Sequence, residues 1–362
     1  MTKPNTRNGG IDLLRLIAMF FVVLLHTLGQ GGILKASAEG SAGYYWAWGL
    51  EIAAFCAVDL FALITGYVTY SDTPRPYRPA SYFLLWLQVV FYSVGISLVF
   101  RLVWPHLAHT ERPWDLLTPV RSNLYWYFTA YTGLFLLRPL LDAGLRACSD
   151  ATAKKLFVAV FLLFSCYDTL FRGFQLNGGY SFAWIALVYV LGAIVRKCGI
   201  GRELRPAVGW CAAALLWAAA WAWRMWGGGL PPHRADLFVS YVSPTVLGTA
   251  VLLLILFSRL RPRGIPAAVI RFAAPGAFAA YLINNHRDVW GSLMNGRFAG
   301  LADRPAPVMA LMAVSFALAF VICSVIIDRG RQLLFRLLRL DRAAARAEEA
   351  IRAALRGLTS LL

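Results

Sequence analysis

The chain has 362 residues, of which 59% are hydrophobic and 15% are charged, and its mean hydropathy is +0.60. Soluble domains are roughly a quarter charged, so this composition excludes an ordinary soluble enzyme, a disordered chain and a disulfide scaffold. The net charge of +17 would favour nucleic-acid binding in a soluble protein. In a membrane protein, however, basic residues gather in the loops on one side of the bilayer. We therefore expect a polytopic membrane protein with no nucleic-acid partner.

Apolar stretches of about 20 residues, long enough to cross a bilayer as helices, recur along the whole sequence. No small-residue cleavage site follows the first stretch, so we expect it to remain as the first helix. The pattern predicts an all-α fold, a polytopic membrane helix bundle of about ten transmembrane helices. The predicted spans are residues 11–28, 47–70, 80–103, 122–140, 155–171, 180–196, 207–226, 239–258, 272–293 and 307–327.

Lys and Arg are unevenly distributed between alternate loops. If the N-terminus lies inside, about two thirds of these residues fall in inner segments, and the excess persists without the C-terminal tail. Loops rich in Lys and Arg stay on the cytoplasmic side. The distribution therefore predicts a multi-pass protein of the plasma membrane with both termini cytoplasmic.

The first predicted span, IDLLRLIAMFFVVLLH, carries three ionisable residues, Asp12, Arg15 and His26. At 100° per residue all three share one face of a helix, over about 21 Å of its axis. Ionisable groups at membrane depth are costly, so they indicate a functional site. Asp12 and Arg15 can pair near the cytoplasmic end, whereas His26 lies toward the outer half. The alternatives are a structural clamp for the pair and a packing role for His26.

The second predicted span contains Asp59 in the sequence VDLFALITGY, followed by Thr65 and Gly66. Neighbouring spans can bring Asp59 toward His26, so we expect its carboxylate to orient the imidazole. The alternative is a polar packing contact between helices, with Gly66 allowing a close approach.

Two further polar clusters are candidate sites. Arg75 and Arg78 form an RxxR pair in the first inner loop, where they satisfy the inside rule and also suit a phosphate-bearing ligand. Asn284 and His286 lie in the ninth predicted span, within the polar run NNHRD. So polar a run at membrane depth indicates a site or a substrate pathway.

Neither the cysteines nor the histidines predict a metal or a bound cofactor. The six cysteines show no CxxC and no zinc spacing. His106 and His109 form a His-x-x-His pair in an outer loop, but such pairs are common by chance.

The tail, residues 328–362, alternates leucine or alanine with arginine at helical spacing. This pattern predicts a basic amphipathic helix lying on the inner leaflet against anionic lipids. A helix that binds a partner or recruits a donor is the alternative. The sequence thus divides into a transmembrane domain, 1–327, and a cytoplasmic tail, 328–362.

These residues resemble the acyltransferase 3 family, integral-membrane O-acyltransferases that modify bacterial cell-envelope glycans and lipids. The resemblance covers all ten spans. Its most specific part is the first helix, with Asp12, the Leu14–Arg15 pair and then His26 after about ten apolar residues. The segment VDLFALITGY is similar to a second motif of the family, with Thr65 where serine is usual.

Three further segments are similar to the family pattern. NLYWYFTAYTGLFLLRPLLD (123–142) looks like the fourth-span signature, and Arg75 and Arg78 match the RxxR pair. AAYLINNHRD matches a segment in which the family commonly has histidine where this chain has Asn284.

The resemblance implies transfer of an acyl group, with acetyl the expected one, from cytoplasmic acyl-CoA to a hydroxyl of a cell-surface or lipid-linked saccharide. Arg75 and Arg78 would hold the CoA phosphates, and His26 would act as general base, or as a nucleophile that forms an acyl-imidazole. Asp12 and Arg15 would shape the inner mouth of the site.

Two other functions remain open from the sequence. The intramembrane His, Asp and Arg could form the pathway of a transporter, although the sequence shows no repeat symmetry and no paired broken helices. The Thr65 and Asn284 departures would also fit a membrane interaction protein without catalysis.

Overall fold

The computed structural model describes residues 8–74, 77–109 and 112–359, and within them the chain forms helices joined by short turns, with no strand. The all-α class predicted from the sequence is therefore confirmed. The main helices are α1 (Gly9–Leu28), α2 (Ala42–Ala54), α3 (Ala57–Thr69), α4 (Pro79–Val103), α5 (Trp126–Ala147), α6 (Asp150–Val160, continued by a π-helical turn at Phe161–Tyr167), α7 (Phe182–Cys198), α8 (Pro206–Trp226), α9 (Pro244–Arg259), α10 (Gly264–Ala273), α11 (Ala277–Asn284), α12 (Ala306–Leu337) and α13 (Leu340–Thr359).

Each of the ten predicted spans falls largely on helix. Among the described residues, six helical stretches are long and apolar enough to cross a membrane, judged by length and composition. They are Gly9–Ala36, Ala42–Thr69, Pro79–Val103, Pro206–Trp226, Gly264–Asn284 and Ala306–Leu337. The structure is therefore that of a polytopic membrane protein.

Two of the spans contain local interruptions that the sequence did not predict. Phe55 and Cys56 separate α2 from α3, but both keep helical backbone angles, so the two helices form one kinked span. A single 3-10 turn, Ala274–Gly276, separates α10 from α11. Pro275 lies in this turn, where it cannot donate the helical hydrogen bond.

Two glycines allow α3 and α7 to pack in direct backbone contact. A Cβ on Gly66 would lie 2.0 Å from the carbonyl oxygen of Tyr189, and one on Gly192 would lie 2.1 Å from that of Leu63. Neither position can hold a larger residue without separating the helices. Gly66 therefore has the close-approach role named in the alternative interpretation of the second span, a role that small residues commonly play between membrane helices.

α1 lies inside the bundle, where it contacts α3, α9, α11 and α12. Asn8 fixes its start, since the side-chain oxygen accepts from the Gly10 N–H at 3.0 Å and the side-chain amide donates to the Ser258 carbonyl at 2.9 Å. Gly10 packs against α9, because a Cβ there would lie 2.1 Å from the Phe257 carbonyl oxygen. The polar face of α1 is thereby held among helices rather than toward lipid.

α12 continues beyond the predicted end of the last span. The sequence placed the boundary between bundle and tail at residue 328, but α12 runs unbroken to Leu337, and α13 begins after it. Asp328 ties this extension to α4, because its buried carboxylate accepts from the Tyr92 hydroxyl at 2.8 Å and from Arg331 at 2.6 Å. α13 then packs on the start of α4, with Ala344 fully buried.

Candidate active site

His26 is held by residues of the ninth span. Its Nδ1 is hydrogen-bonded to the Oδ1 of Asn284, the last residue of α11, and its ring meets the Trp290 ring edge-on at 4.6 Å between centroids. Because the amide oxygen can only accept, Nδ1 carries the proton and Nε2 is the basic nitrogen. This arrangement fixes both the tautomer and the orientation that a general base requires.

His26 lines a cavity whose walls are mostly aromatic. The hydroxyl of Tyr281 accepts from the backbone N–H of Tyr127 at 3.3 Å, which ties α11 to the start of α5 across the cavity. Four of the lining residues are tyrosines, so the pocket combines apolar ring faces with the imidazole and phenol groups. The lining residues are Met19, Val22, Leu25, His26, Val58, Phe61, Trp126, Tyr127, Tyr180, Tyr241, Phe278 and Tyr281.

Asp59 does not orient His26, contrary to the expectation from sequence. Its Oδ1 accepts from the indole Nε1 of Trp184 at 2.9 Å, and its side chain is fully buried between α3 and α7. The reason is the direction of the helix face: Asp59 points toward α7, while its neighbours Val58 and Phe61 line the cavity. The hydrogen-bond partner of His26 in the structure is Asn284.

Thr65, where the family pattern has serine, bonds within its own helix. Its hydroxyl donates to the Phe61 carbonyl at 2.7 Å, one turn earlier. The threonine is therefore accommodated without an unsatisfied polar group in the bundle.

Asp12 and Arg15 form the predicted pair, with Arg15 Nη1 and Asp12 Oδ1 2.9 Å apart. The carboxylate is buried, and the Arg15 side chain is 32% exposed. Asp12 lies 14 residues from His26, which is about 21 Å along α1. The pair is therefore separated from the imidazole by several turns of α1.

A second, larger cavity opens at the other end of α3 and α5. It is lined by Arg78, Arg138 and Arg146 together with Asp142, whose Oδ1 accepts from the Tyr189 hydroxyl at 2.7 Å. Three of its four charged lining residues are therefore basic, and we call it the basic cavity. Arg75, the other half of the predicted RxxR pair, lies outside the described residues.

Arg138 and Arg146 were not among the candidates chosen from the sequence. They occur at positions i and i+8 of α5, with Asp142 between them at i+4, and this spacing places all three on one helix face. The periodicity of charge within an otherwise apolar helix was the signal that could have identified them.

His286 is fully buried and is turned away from the aromatic cavity, toward α4. Its Nε2 lies 3.0 Å from the Ser93 carbonyl and 3.3 Å from the Ser97 hydroxyl, and its Nδ1 accepts from the Asp288 N–H at 3.3 Å. Because the Ser93 carbonyl can only accept, Nε2 carries the proton. The Nδ1 also lies 3.6 Å from the Asp288 Oδ2, so His286 supports the turn that follows Asn284.

Asp288 extends this support to the loop that contains His109. Its Oδ1 accepts from the backbone N–H of His109 at 2.7 Å and lies 3.0 Å from the His109 ring nitrogen Nδ1. Across residues 8–74, 77–109 and 112–359 there is no group of three or more His, Cys, Asp or Glu residues arranged to hold a metal ion.

The fold and the site define a class: an integral-membrane helix bundle with a histidine on an aromatic cavity and arginines around a second cavity. A comparison with protein families makes the assignment closer, because the acyltransferase domain family (Acyl_transf_3) matches residues 8–328. The chain therefore belongs to this family, as its motifs predicted, and is a membrane acyltransferase. No curated protein and no solved structure gives a significant match.

Proposed function

We propose that this protein is an O-acyltransferase that moves an acyl group, acetyl in the simplest case, from cytoplasmic acyl-CoA to a hydroxyl of a cell-surface or lipid-linked saccharide. The observation that carries the proposal is His26, whose basic Nε2 belongs to a ring fixed by Asn284 on the wall of the aromatic cavity. A bound cofactor is not part of the proposal, since acyl-CoA is a substrate.

The basic cavity supports an acyl-CoA donor. Arg78, Arg138 and Arg146 present guanidinium groups that suit the phosphates of CoA. Helices α3 and α5 line both cavities. α3 contributes Phe61 to the aromatic cavity and Thr69 to the basic cavity. These residues are eight positions apart, or about 12 Å along the helix. The long uncharged pantetheine arm would cover this distance and carry the thioester to His26.

The aromatic cavity supports an acceptor whose reacting hydroxyl needs a base. In the proposed step, His26 Nε2 takes the hydroxyl proton as the oxygen attacks the thioester carbonyl. The carbon–sulfur bond then breaks, and the CoA thiolate leaves and takes up the proton from the imidazolium. Asn284 stabilises the imidazolium through its bond to Nδ1–H. Aromatic walls also offer flat apolar faces against which the C–H face of a sugar ring can pack.

The proposed membrane orientation follows from the distribution of basic residues and from the cytoplasmic supply of acyl-CoA. Arg78, Arg138 and Arg146 belong to segments that the distribution of basic residues places on the cytoplasmic side, where acyl-CoA is available. We therefore place the basic cavity at the inner face of the plasma membrane, with both termini cytoplasmic. Anionic lipids of the inner leaflet would contact the basic residues there.

The proposal is tested by acetyl-CoA consumption with purified protein in nanodiscs and a crude envelope-glycan acceptor. His26→Ala is compared with wild type and with His233→Ala, a matched change at an exposed loop histidine. We expect consumption by wild type and His233→Ala and none above background by His26→Ala. Equal consumption by all three proteins would remove His26 from the reaction.

A further inference from the structure

The cytoplasmic start of α4 has no cap of its own. Arg78 occupies the N-cap position, its side chain makes no capping hydrogen bond, and Pro79 follows at the first helical position. The first N–H groups of a helix have no partner within the helix and need an acceptor from elsewhere.

Glu348 of α13 supplies this acceptor from a distant part of the chain. Its Oε2 accepts from the backbone N–H of Ala80 at 3.0 Å, across 268 residues of sequence. A carboxylate at this place also interacts favourably with the positive end of the helix dipole. The pKa of Glu348 lies below its usual range, mainly because the carboxylate accepts from the Ala80 N–H. The neighbouring Arg352 lowers this pKa further.

Arg352, one turn further along α13, joins this cap to the loop before α4. Its Nε and Nη2 donate to Glu348 Oε1 at 3.0 and 2.6 Å, and Nη2 also donates to the carbonyl oxygen of Tyr77. The two side chains thereby fix both ends of the Tyr77–Ala80 segment. Ala344 is fully buried one turn before Glu348 and seats the helix against α4.

The segment held in this way forms part of the basic cavity, because Tyr77 and Arg78 both line it. We infer that Glu348 and Arg352 are positioning residues for the acyl-CoA donor: the C-terminal helix holds the Tyr77–Ala80 segment so that Arg78 faces the donor phosphates. This inference rests on the proposed function, since it concerns the donor of that reaction. It also gives the tail a role beyond contact with the inner leaflet.

The test compares Glu348→Ala with Glu349→Ala, which removes the same charge from the exposed neighbouring position of α13. In full-length protein in nanodiscs we expect Glu348→Ala to raise the donor KM about fivefold, the factor that corresponds to a typical lost helix cap. The kcat and the acceptor KM should change less than twofold. Glu348→Gln keeps an acceptor oxygen for the Ala80 N–H, so its donor KM should lie close to the wild-type value. Glu349→Ala should behave as wild type.

Hydrogen exchange of the peptide around residues 77–85 gives a readout independent of turnover. Without ligand, Glu348→Ala should speed exchange at the start of α4 about fivefold, and Glu349→Ala should not. Added coenzyme A should slow exchange at Tyr77 and Arg78 in wild type. Glu348→Ala should need an about fivefold higher coenzyme A concentration for the same slowing.

The donor KM and the hydrogen-exchange measurement together distinguish the failure of this inference from the failure of the proposed function. Equal exchange and equal donor KM in Glu348→Ala and Glu349→Ala would overturn the positioning role. Faster exchange in Glu348→Ala with an unchanged donor KM would also overturn it, because the cap would then be structural alone. If coenzyme A changed exchange nowhere in wild type, the donor site itself would be wrong.

Discussion

Asn284 provides the sharpest test of how His26 is prepared for catalysis. The change Asn284→Ala removes the acceptor of the Nδ1–H and leaves that donor unpaired in a buried site, while the ring contact with Trp290 remains. A buried polar group left unpaired costs about 1–3 kcal/mol. If that cost falls on the transition state, kcat should drop between about fivefold and about 150-fold. Asn284→Asp keeps an acceptor oxygen and should retain more activity than Asn284→Ala.

The adjacent Asn285 is a matched control. Its side-chain amide donates to the Tyr281 carbonyl at 3.2 Å within the same segment. The assay is steady-state acyl transfer from acetyl-CoA in nanodiscs, with coenzyme A binding measured on the same samples. Asn285→Ala should lose less than threefold in kcat, and donor binding should be unchanged in both variants. Equal kcat values for Asn284→Ala and Asn285→Ala would refute the role of Asn284 in holding His26.

Three other predictions follow from the packing and the charges. Gly66→Ala forces its Cβ against α7 and should lower the unfolding free energy by about 1–3 kcal/mol. Gly95→Ala, in open space on α4, should leave it unchanged, and thermal unfolding in detergent compares the two variants. Arg138→Gln should raise the donor KM about tenfold with kcat unchanged, as loss of a charged hydrogen bond implies, and an unchanged donor KM would remove Arg138 from the donor site. Because the pKa of Glu348 is lowered in the folded protein, its stabilisation is complete above the ordinary glutamate pKa and is lost as pH falls through the lowered value. The stability difference between wild type and Glu348→Ala should therefore be constant near neutral pH and vanish in acid, and a difference that persisted in acid would contradict the cap.

Much of the fold was predictable from the sequence, because bilayer thickness imposes a helix length that composition reveals. The shared face of α1 also followed from spacing alone, and the structure shows Asp12 paired with Arg15 and His26 on a cavity. Close approach at Gly66 belonged to the alternative interpretation of Asp59, and the structure shows that contact between α3 and α7.

The tertiary partners were not predictable, because they depend on which helix faces turn toward each other. Asp59 was expected beside His26 on the strength of neighbouring spans, but its position on α3 turns it toward Trp184 on α7. The residue that accepts the hydrogen bond from His26 lies 258 residues away in the sequence. The residue that caps α4, Glu348, lies 268 residues from Ala80. No local pattern in a single sequence encodes such pairs. The arginine spacing on α5 was a local signal, and it was overlooked.

The measurement that bears most directly on the central claim is transfer of a labelled acetyl group from acetyl-CoA to crude envelope glycan by wild type and His26→Ala. Coenzyme A binding by the same samples shows whether the variant retains its donor site. The account predicts that His26→Ala binds coenzyme A as wild type does and transfers no label above background. Label transfer by His26→Ala at the wild-type rate would contradict the assignment of His26 as the base.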